Sequence, residues 1–350
     1  MEDIFLLVDY KGHFGTKHGA TPYRSGLDQK QLARHFEARG FRARFLNFCD
    51  VDFLSGDLPG RTFLYSSAED HGLLYRSFIE DIVLGLENCG ARILPAFKFL
   101  RAHHNKVFME ILRDQMLGSE APSMRSRFYG TLEELESRLG GVGLPSVVKP
   151  ASGSMSVGVR LCNSSGELSR AASQASSSRH WPSDAWDFGR MWRRKGYIRE
   201  SLHRRKFVVQ PFLPGLGNDW KVLIYGKKYF VLMRQTRKHD FRASGSGRFE
   251  FCSDIPAGLL DFASSIFGRL AVPHLSMDIG AAEGRFHLFE FQALHFGTLT
   301  VEEAPFHFAR AGQAWKRVDG PSEVEEEFVR SVVDYLSGME QKPNPEGSPS

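Results

Sequence analysis

The sequence is poor in cysteine. Four occur in 350 residues, Cys49, Cys89, Cys162 and Cys252, all far apart. No Cys-x-x-Cys pair and no Cys/His cluster is present, so neither a zinc site nor a disulfide framework is indicated; the thiols read as free groups in a reducing compartment. Long apolar runs are missing as well. Ile4 to Val8 is a short apolar stretch between Asp3 and Asp9, which suits a buried strand and not the core of a secretory signal. No run approaches the ~18 apolar residues of a membrane span. An excess of one charge is absent too: 45 basic against 41 acidic residues leave a net +4, which does not indicate a nucleic-acid partner. Internal repeats are not found. With 42% hydrophobic and 25% charged residues, the chain reads as a soluble, cytoplasmic protein of two or three domains with no membrane partner.

The first hundred residues alternate strand and helix. Ile4–Val8, Phe41–Phe48, Thr62–Tyr65 and Ala91–Leu94 have strand character. Between them, Asp28–Arg39 and the Leu74, Phe78, Ile82, Leu86 face have helical spacing. That alternation predicts an α/β domain at 1–100 with an open parallel sheet. A second unit is expected at 101–206. It holds a helix from Val107, a second helix carrying Leu132, Leu135 and Leu139 with Thr131 as N-cap, and the strand Ser146–Lys149. Its segment 163–206 reads as a connection, with Ser164–Ser183 exposed and mobile. A third unit at 207–338 holds strands at Phe207–Gln210, Lys221–Tyr225, Tyr229–Met233, Leu275–Ile279 and Arg285–Ala293. It also holds a helix at Leu259–Leu270 and a final helix opening at Ser322 with Glu325 three positions on. Residues 339–350 have the composition of a loose tail.

Two stretches carry chemistry. The strand Val147-Val148-Lys149-Pro150 runs into Ala151-Ser152-Gly153-Ser154-Met155-Ser156-Val157-Gly158. Glycines let backbone N–H groups approach an anion closely, and successive N–H groups make a concave donor nest. Lys149 adds a compact positive charge. This is not the P-loop pattern, which places its Lys after the glycines at a helix start. Far along the chain, Asp278, Glu290 and Gln292 place oxygen donors on two strands. Residues two apart on a strand share a face, so Glu290 and Gln292 point together while Phe289 and Phe291 are expected to enter a core. Carboxylates on apolar strands are costly unless partnered. Mg²⁺ is one partner; a Lys or Arg is the other.

The order of these pieces resembles the ATP-grasp superfamily, in the branch of glutathione synthetase and RimK-like ligases. The resemblance runs from Asn105-Lys106 through Val148-Lys149-Pro150, Ser152–Gly158, Gln210-Pro211-Phe212-Leu213, Asp219-Trp220-Lys221, Arg234 and Phe241–Gly247 to Asp278 and Glu290-Phe291-Gln292. It implies an α/β fold in which two lobes clamp ATP after an N-terminal domain. Lys106 and Lys149 would lie on the phosphates, with Ser152, Gly153, Ser154 and Gly158 in the loop above them. Gln210, Pro211, Phe212 and Leu213 would hold adenine, with Asp219 beside them. Asp278, Glu290 and Gln292 would hold Mg²⁺, or Mn²⁺ in its place. Arg234, Arg242 and Lys221 would steady the transferred phosphate. The implied reaction is ATP-dependent carboxylate–amine ligation through an acyl phosphate, on small-molecule, amino-acid or peptide substrates. A homo-oligomer is compatible with the resemblance.

Two positions depart from that branch: Gln292 stands where Asn is usual, and Asp219-Trp220-Lys221 where Asp-x-Arg is usual. Lysine keeps the charge and loses the fork. A small-molecule kinase sharing the nucleotide half, or a non-catalytic nucleotide- or RNA-binding protein, remains open. Three further segments attract notice. Tyr10–His18 follows the first strand, where open sheets place ligands; a flexible surface loop is the plainer reading. His103-His104 gives no metal expectation, because neighbours on a strand face opposite ways and no third ligand is evident. The Trp/Arg-rich stretch from Trp186 to Lys206 suits an acidic peptide or RNA, or more plainly a solvated helix face packed by its tryptophans.

Overall fold

A computed structural model describes residues 1–118, 125–153, 156–236 and 248–340. The N-terminal sheet joins β1 (Glu2–Val8), β2 (Phe41–Asn47), β3 (Thr62–Tyr65) and β4 (Arg92–Leu94), all parallel, in the order β2-β1-β3-β4. The strand–helix alternation of the sequence has this consequence. Successive β1 side chains split between two cores. Ile4, Leu6 and Val8 face α1 (Gln29–Glu37) and α10 (Val324–Glu340), while Leu7 packs with Phe63 against α2 (Leu74–Asn88). The final helix α10 thus lies on the first sheet, and its Val329, Val332 and Leu336 also meet Leu223 and Phe230 of the largest sheet.

After α3 (Phe97–Ala102) and α4 (Lys106–Leu117), a small antiparallel sheet joins β5 (Arg127–Tyr129), β6 (Ser146–Pro150), β7 (Arg160–Cys162) and β8 (Phe207–Pro211) in the order β5-β8-β6-β7. β8 pairs with β6, so Gln210 lies opposite Val147. The third sheet runs β13 (Arg285–Gln292), β12 (His274–Ala282), β9 (Asn218–Tyr225), β10 (Lys228–Gln235), β14 (Phe306–Ala311) and β15 (Ala314–Asp319), with β11 (Phe249–Glu250) against β10. One face of it packs on α8 (Leu259–Leu270) and α4 through Val222, Met277, Leu259 and Met109. The β9–β10 hairpin turns through Gly226-Lys227, and Gly226 takes the positive φ of 58° that this tight turn requires.

Several local expectations are corrected. Ser164–Ser183 is not an exposed connection: α6 (Ser165–Ser176) fills most of it, capped by the Ser164 hydroxyl. Its small residues Ala171 and Ala172, with Leu168, form an apolar face that lets the helix lie close on the second sheet. The helix expected through Leu139 ends at Glu136, although its Thr131–Glu134 capping box is present. Only the start of the Trp186–Lys206 stretch is helical, in α7 (Trp181–Arg193), and the tryptophans of that helix do not pack. Trp181, Trp186 and Trp192 are 83%, 67% and 77% exposed, and α7 buries no residue. The helix is tethered instead through Asp187, which accepts from Tyr197 Oη and pairs with Arg199.

The Tyr10–His18 segment is not loose either. Phe14 is buried, the Gly15 N–H donates to Ser66 Oγ, and the His18 and Gly19 N–H groups donate to Glu302. The expected pairing of Ser322 with Glu325 at the start of α10 does not form. Glu325 instead accepts two 2.8 Å hydrogen bonds from Lys17 Nζ and one from the Asp28 N–H, and Ser322 Oγ has no partner. A fully buried carboxylate repays such multiple donation. Glu325→Ala would strand the Asp28 N–H and the Lys17 ammonium, so we expect it to cost about 2–3 kcal/mol, read as a lower urea midpoint with unchanged slope.

Candidate active site

One face of the third sheet carries a row of polar side chains on otherwise apolar strands. Pairing places Asp219 of β9 opposite Arg234 of β10, Lys221 of β9 opposite Asp278 of β12, and Asp278 opposite Glu290 of β13. Directly opposed residues share a face, so these groups stand side by side across four strands. Arg234 grips Asp219 bidentately, Nε to Oδ1 at 2.7 Å and Nη2 to Oδ2 at 2.8 Å, and also reaches Asp278 Oδ2 at 2.9 Å. Lys221 Nζ lies 3.7 Å from Asp278 Oδ1 and donates to Ser276 Oγ. The fork that Lys221 lacks is therefore supplied to the same carboxylates by Arg234. Gln292 Nε2 donates to Glu290 Oε1 at 3.0 Å, which turns its amide oxygen away from that carboxylate.

Burial sets the charges against each other. It pushes Asp219 up to about 6; Arg234 opposes this and the neighbouring Asp278 carboxylate adds to it. Burial also works against the Asp278 carboxylate, but Arg234 and Lys221 outweigh it and hold that group below the ordinary range. The two carboxylates share one guanidinium, and Asp278 keeps the stronger claim to remaining ionised.

The opposing wall comes from the second sheet. Lys149 of β6 is half-buried and donates to Gln210 Oε1 of β8. Gln210 Nε2 in turn donates to Ser126 Oγ at 3.2 Å. Behind them Glu110 of α4 pairs with Arg113 at 2.5 Å. Burial lowers the Lys149 ammonium from its ordinary value, and the carboxylates of Glu110 and Glu290 pull it back. Lys106, the first residue of α4, donates through Nζ to the Gly153 carbonyl at 2.7 Å and through its N–H to the Ala151 carbonyl. Both lysines thus meet at the base of the glycine loop.

A cavity of about 370 Å³ lies between the walls. Lys106, Lys149 and Gly153 line its upper side, Gln210, Pro211, Phe212 and Leu213 one end, and Asp219, Lys221, Arg234, Asp278, Glu290 and Gln292 its floor. Ser152 and Gly158 line a neighbouring groove with Arg160, Arg204 and Arg205. Gly158 holds φ at +75°, and a Cβ there would stand 2.8 Å from Pro150 Cγ, so the loop needs this glycine to fold back over β6. Ser154 and Arg242, with the rest of Phe241–Gly247, lie outside the described residues.

Phe289 departs from expectation. Phe291 enters the core, but Phe289 lines the cavity. The cause is a β-bulge: Asp278 pairs with Glu290 and Ile279 with Leu288, so Phe289 is skipped and its side chain stays on the cavity side. Its ring lies across Gly280, where a Cβ would approach Cζ to 2.5 Å. Gly280→Ala is therefore expected to drive the Phe289 ring into the cleft. It should cost about 1–3 kcal/mol in stability and weaken nucleotide binding several-fold, checked by thermal melting and calorimetric titration.

The histidine pair is also corrected. His103 and His104 do not lie on a strand but follow α3, and both Nε2 atoms reach Glu69, at 2.7 and 2.5 Å. His295 Nδ1 lies 3.9 Å from the same carboxylate. Burial would raise Glu69, but hydrogen bonds from His103 and His104 outweigh it and hold it well below the usual carboxylate range. Burial lowers His103 and pushes His295 down to about 4. Sequence spacing gives no sign of this cluster, whose members come from three distant segments.

The oxygen donors on the cavity floor fit a hard divalent cation. Glu290, Asp278 and the Gln292 amide oxygen are the ligand types Mg²⁺ takes, and among the described residues of that floor three carboxylates face two cationic side chains, Lys221 and Arg234.

No protein-family model matches the sequence, and no curated protein matches it. Solved structures do. The chain is similar to the D-cycloserine synthetase DcsG at 11% identity, covering 95% of this chain and 99% of that one, with a TM-score of 0.54. It is similar to the macrocyclase MdnC of Microcystis aeruginosa, solved with the precursor peptide MdnA, at 12% identity, 95% and 99% coverage and a TM-score of 0.52. The ATP-grasp ligase PsnB, solved with a minimal precursor, matches at 13% identity over 95% and 99%, with a TM-score of 0.50. Identities this low speak to architecture, and they do so over nearly the whole chain: it has the ATP-grasp fold.

Proposed function

We propose that the protein is an ATP-dependent ligase that joins a carboxylate to an amine, releasing ADP and phosphate. The observation that carries this reading is the opposition, across one cavity, of Lys106 and Lys149 under a glycine loop to the row Asp278, Glu290 and Gln292. The similar structures named above include a synthetase and two enzymes solved with precursors or precursor peptides, which supports small-molecule, amino-acid or peptide substrates.

In this reading Lys149 and Lys106 bind the triphosphate, and the strand end Gln210–Leu213 lies along adenine. Asp278, Glu290 and Gln292 hold Mg²⁺, or Mn²⁺ in its place, whose chemistry is to neutralise phosphate charge. Arg234 keeps Asp278 ionised and oriented. Lys221 sits beside it, with Arg242 assigned to the transferred phosphate. Ser152, Ser154 and Gly158 belong to the loop over the phosphates. A substrate carboxylate oxygen attacks the γ-phosphorus and ADP leaves. An amine nitrogen then attacks the acyl carbon, phosphate leaves, and the nitrogen loses a proton. Positioning and charge neutralisation account for most of such catalysis.

No helix among the described residues is long and apolar enough to cross a membrane. We infer a cytoplasmic enzyme that works on soluble substrates, as a monomer or a homo-oligomer. The test is a pairwise screen of carboxylates and amines with ADP release as readout and mass spectrometry of the product. ADP release that requires both substrates and yields an amide supports ligation. A stable phosphorylated alcohol identifies a kinase, and nucleotide binding without turnover identifies a binding protein.

A further inference from the structure

We propose that Glu69, His103, His104 and His295 form a binding site for a divalent first-row transition metal, with Zn²⁺ as its representative. This site is separate from the Asp278–Glu290–Gln292 row and does not depend on the ligase reading. Three observations carry it. The ligand atoms of Glu69, His103 and His104 lie within 4.8 Å of one another. His295 closes the same cluster from the segment after β13. Its Nδ1 is buried without a hydrogen-bond partner, a state that native structures seldom tolerate.

A hydrogen-bonded cluster alone accounts for only part of this. The Glu69 carboxylate is served by His103 and His104, and that leaves the His295 nitrogen with nothing. A metal satisfies all four. A tetrahedral ion with bonds of about 2.0–2.1 Å separates its ligand atoms by roughly 3.3 Å. The present separations from the Glu69 oxygens, 2.7, 2.5 and 3.9 Å, bracket that value, so His103 and His104 need only move slightly away from the carboxylate while His295 draws in. For His103 and His104 to ligate through Nε2, the ring proton resides on Nδ1. A donor set of three imidazoles and one carboxylate favours Zn²⁺, Co²⁺ or Ni²⁺ over Mg²⁺, which prefers oxygen. His104 is held at φ +50°, a left-handed conformation uncommon for a non-glycine residue, and it turns the ring toward Glu69.

The location gives the site consequence. A cavity of about 30 Å³, enough for about one or two waters, lies between His103, His104 and Lys106 on one side and Glu290 and Gln292 on the other. The metal would therefore stand at the edge of the cleft, where the N-terminal sheet and the third sheet meet.

Full-length protein stripped with a chelator and titrated with Co²⁺, followed by visible absorption and calorimetry, tests this. One Co²⁺ per chain is expected, displaced by Zn²⁺ and not by excess Mg²⁺. Affinity should fall about tenfold or more in His104→Gln and in His295→Gln. Glu69→Gln serves as a third variant, and the melting temperature of each metal-free variant verifies folding. Asp278→Asn with Glu290→Gln should bind Co²⁺ as the parent does. The proposal is overturned if no stoichiometric Co²⁺ binds, if the folded histidine and Glu69 variants bind as tightly as the parent, or if the loss follows the Asp278/Glu290 pair instead.

Discussion

Asp278→Asn combined with Glu290→Gln is expected to abolish Mg²⁺-dependent ATP affinity and to cut ADP release by about 10³-fold or more, with the fold retained. Three carboxylates and two cations now share the cavity floor. The double change leaves one carboxylate against the same two cations, so the surface turns from net negative to net positive. A divalent ion is then repelled where it was attracted. Metal neutralisation of a transferring phosphoryl group contributes several kcal/mol, and each 1.36 kcal/mol is a factor of ten in rate. The fold survives for a local reason. Arg234 keeps its two-pronged contact with Asp219, and the introduced amide would still offer Arg234 an acceptor oxygen in place of the Asp278 carboxylate at 2.9 Å. No buried cation is stranded, which is the circumstance that makes breaking a buried pair costly. Loss of the neighbouring negative charge should also ease Asp219 down from about 6. Calorimetric titration with ATP in the presence and absence of Mg²⁺, beside a thermal melt, decides it. Unchanged Mg²⁺-dependent affinity in a folded double variant would remove the metal role from these residues.

The parts legible in the sequence are those with strong periodicity or directly opposed pairs. The parallel N-terminal sheet follows from short apolar strands alternating with amphipathic helices, and Leu259–Leu270 forms the helix its spacing predicts. The strands carrying Lys149, Asp278 and Glu290 are where their apolar neighbours indicate, because Val148, Met277 and Phe291 must be buried and leave the polar residues on the other face. What escapes has identifiable causes. Period-2 reasoning sends Phe289 into the core because it presumes an unbroken ladder, and a one-residue bulge inverts its side. The Ser/Ala segment reads as a loop because serines are common turn residues, although Leu168, Ala171 and Ala172 stand at helical spacing. The Glu69–His103–His104–His295 group depends on contacts between the segment after β3, the end of α3 and the segment after β13, and no local pattern encodes such an encounter. α7 shows the reverse: its helix is as expected, yet hydrophobic content does not decide burial, because no element among the described residues covers its tryptophans.

Lys149→Met should weaken ATP binding by about 10- to 100-fold at a stability cost of no more than about 1–3 kcal/mol, and should remove a proton uptake that accompanies binding in the parent. Lys149 is half-buried, and the desolvation disfavours its charged form, so its ammonium titrates below its ordinary value in the free protein. The triphosphate brings negative charge to the same place and raises it again. At pH values between those two positions, binding must draw a proton from solution. Affinity therefore increases as pH falls through that window and levels off once Lys149 is charged before ATP arrives. The same titration, repeated at stepped pH across the alkaline range below the ordinary lysine value in two buffers of different ionisation enthalpy, reads the uptake as a difference in apparent heat. Methionine matches the length of the lysine stem but carries no charge and no proton. Glu110 keeps Arg113 at 2.5 Å, so removing the ammonium does not orphan a buried carboxylate. The buried Gln210 Oε1 loses its donor, which costs about 1–3 kcal/mol, and the vanished desolvation cost of Lys149 offsets part of it. A charge-assisted contact to phosphate is worth about 1.5–3 kcal/mol, which sets the range of affinity loss. Equal heats in both buffers for the parent, or full affinity in a folded Lys149→Met protein, would place the phosphates away from β6 and move the nucleotide out of this cavity.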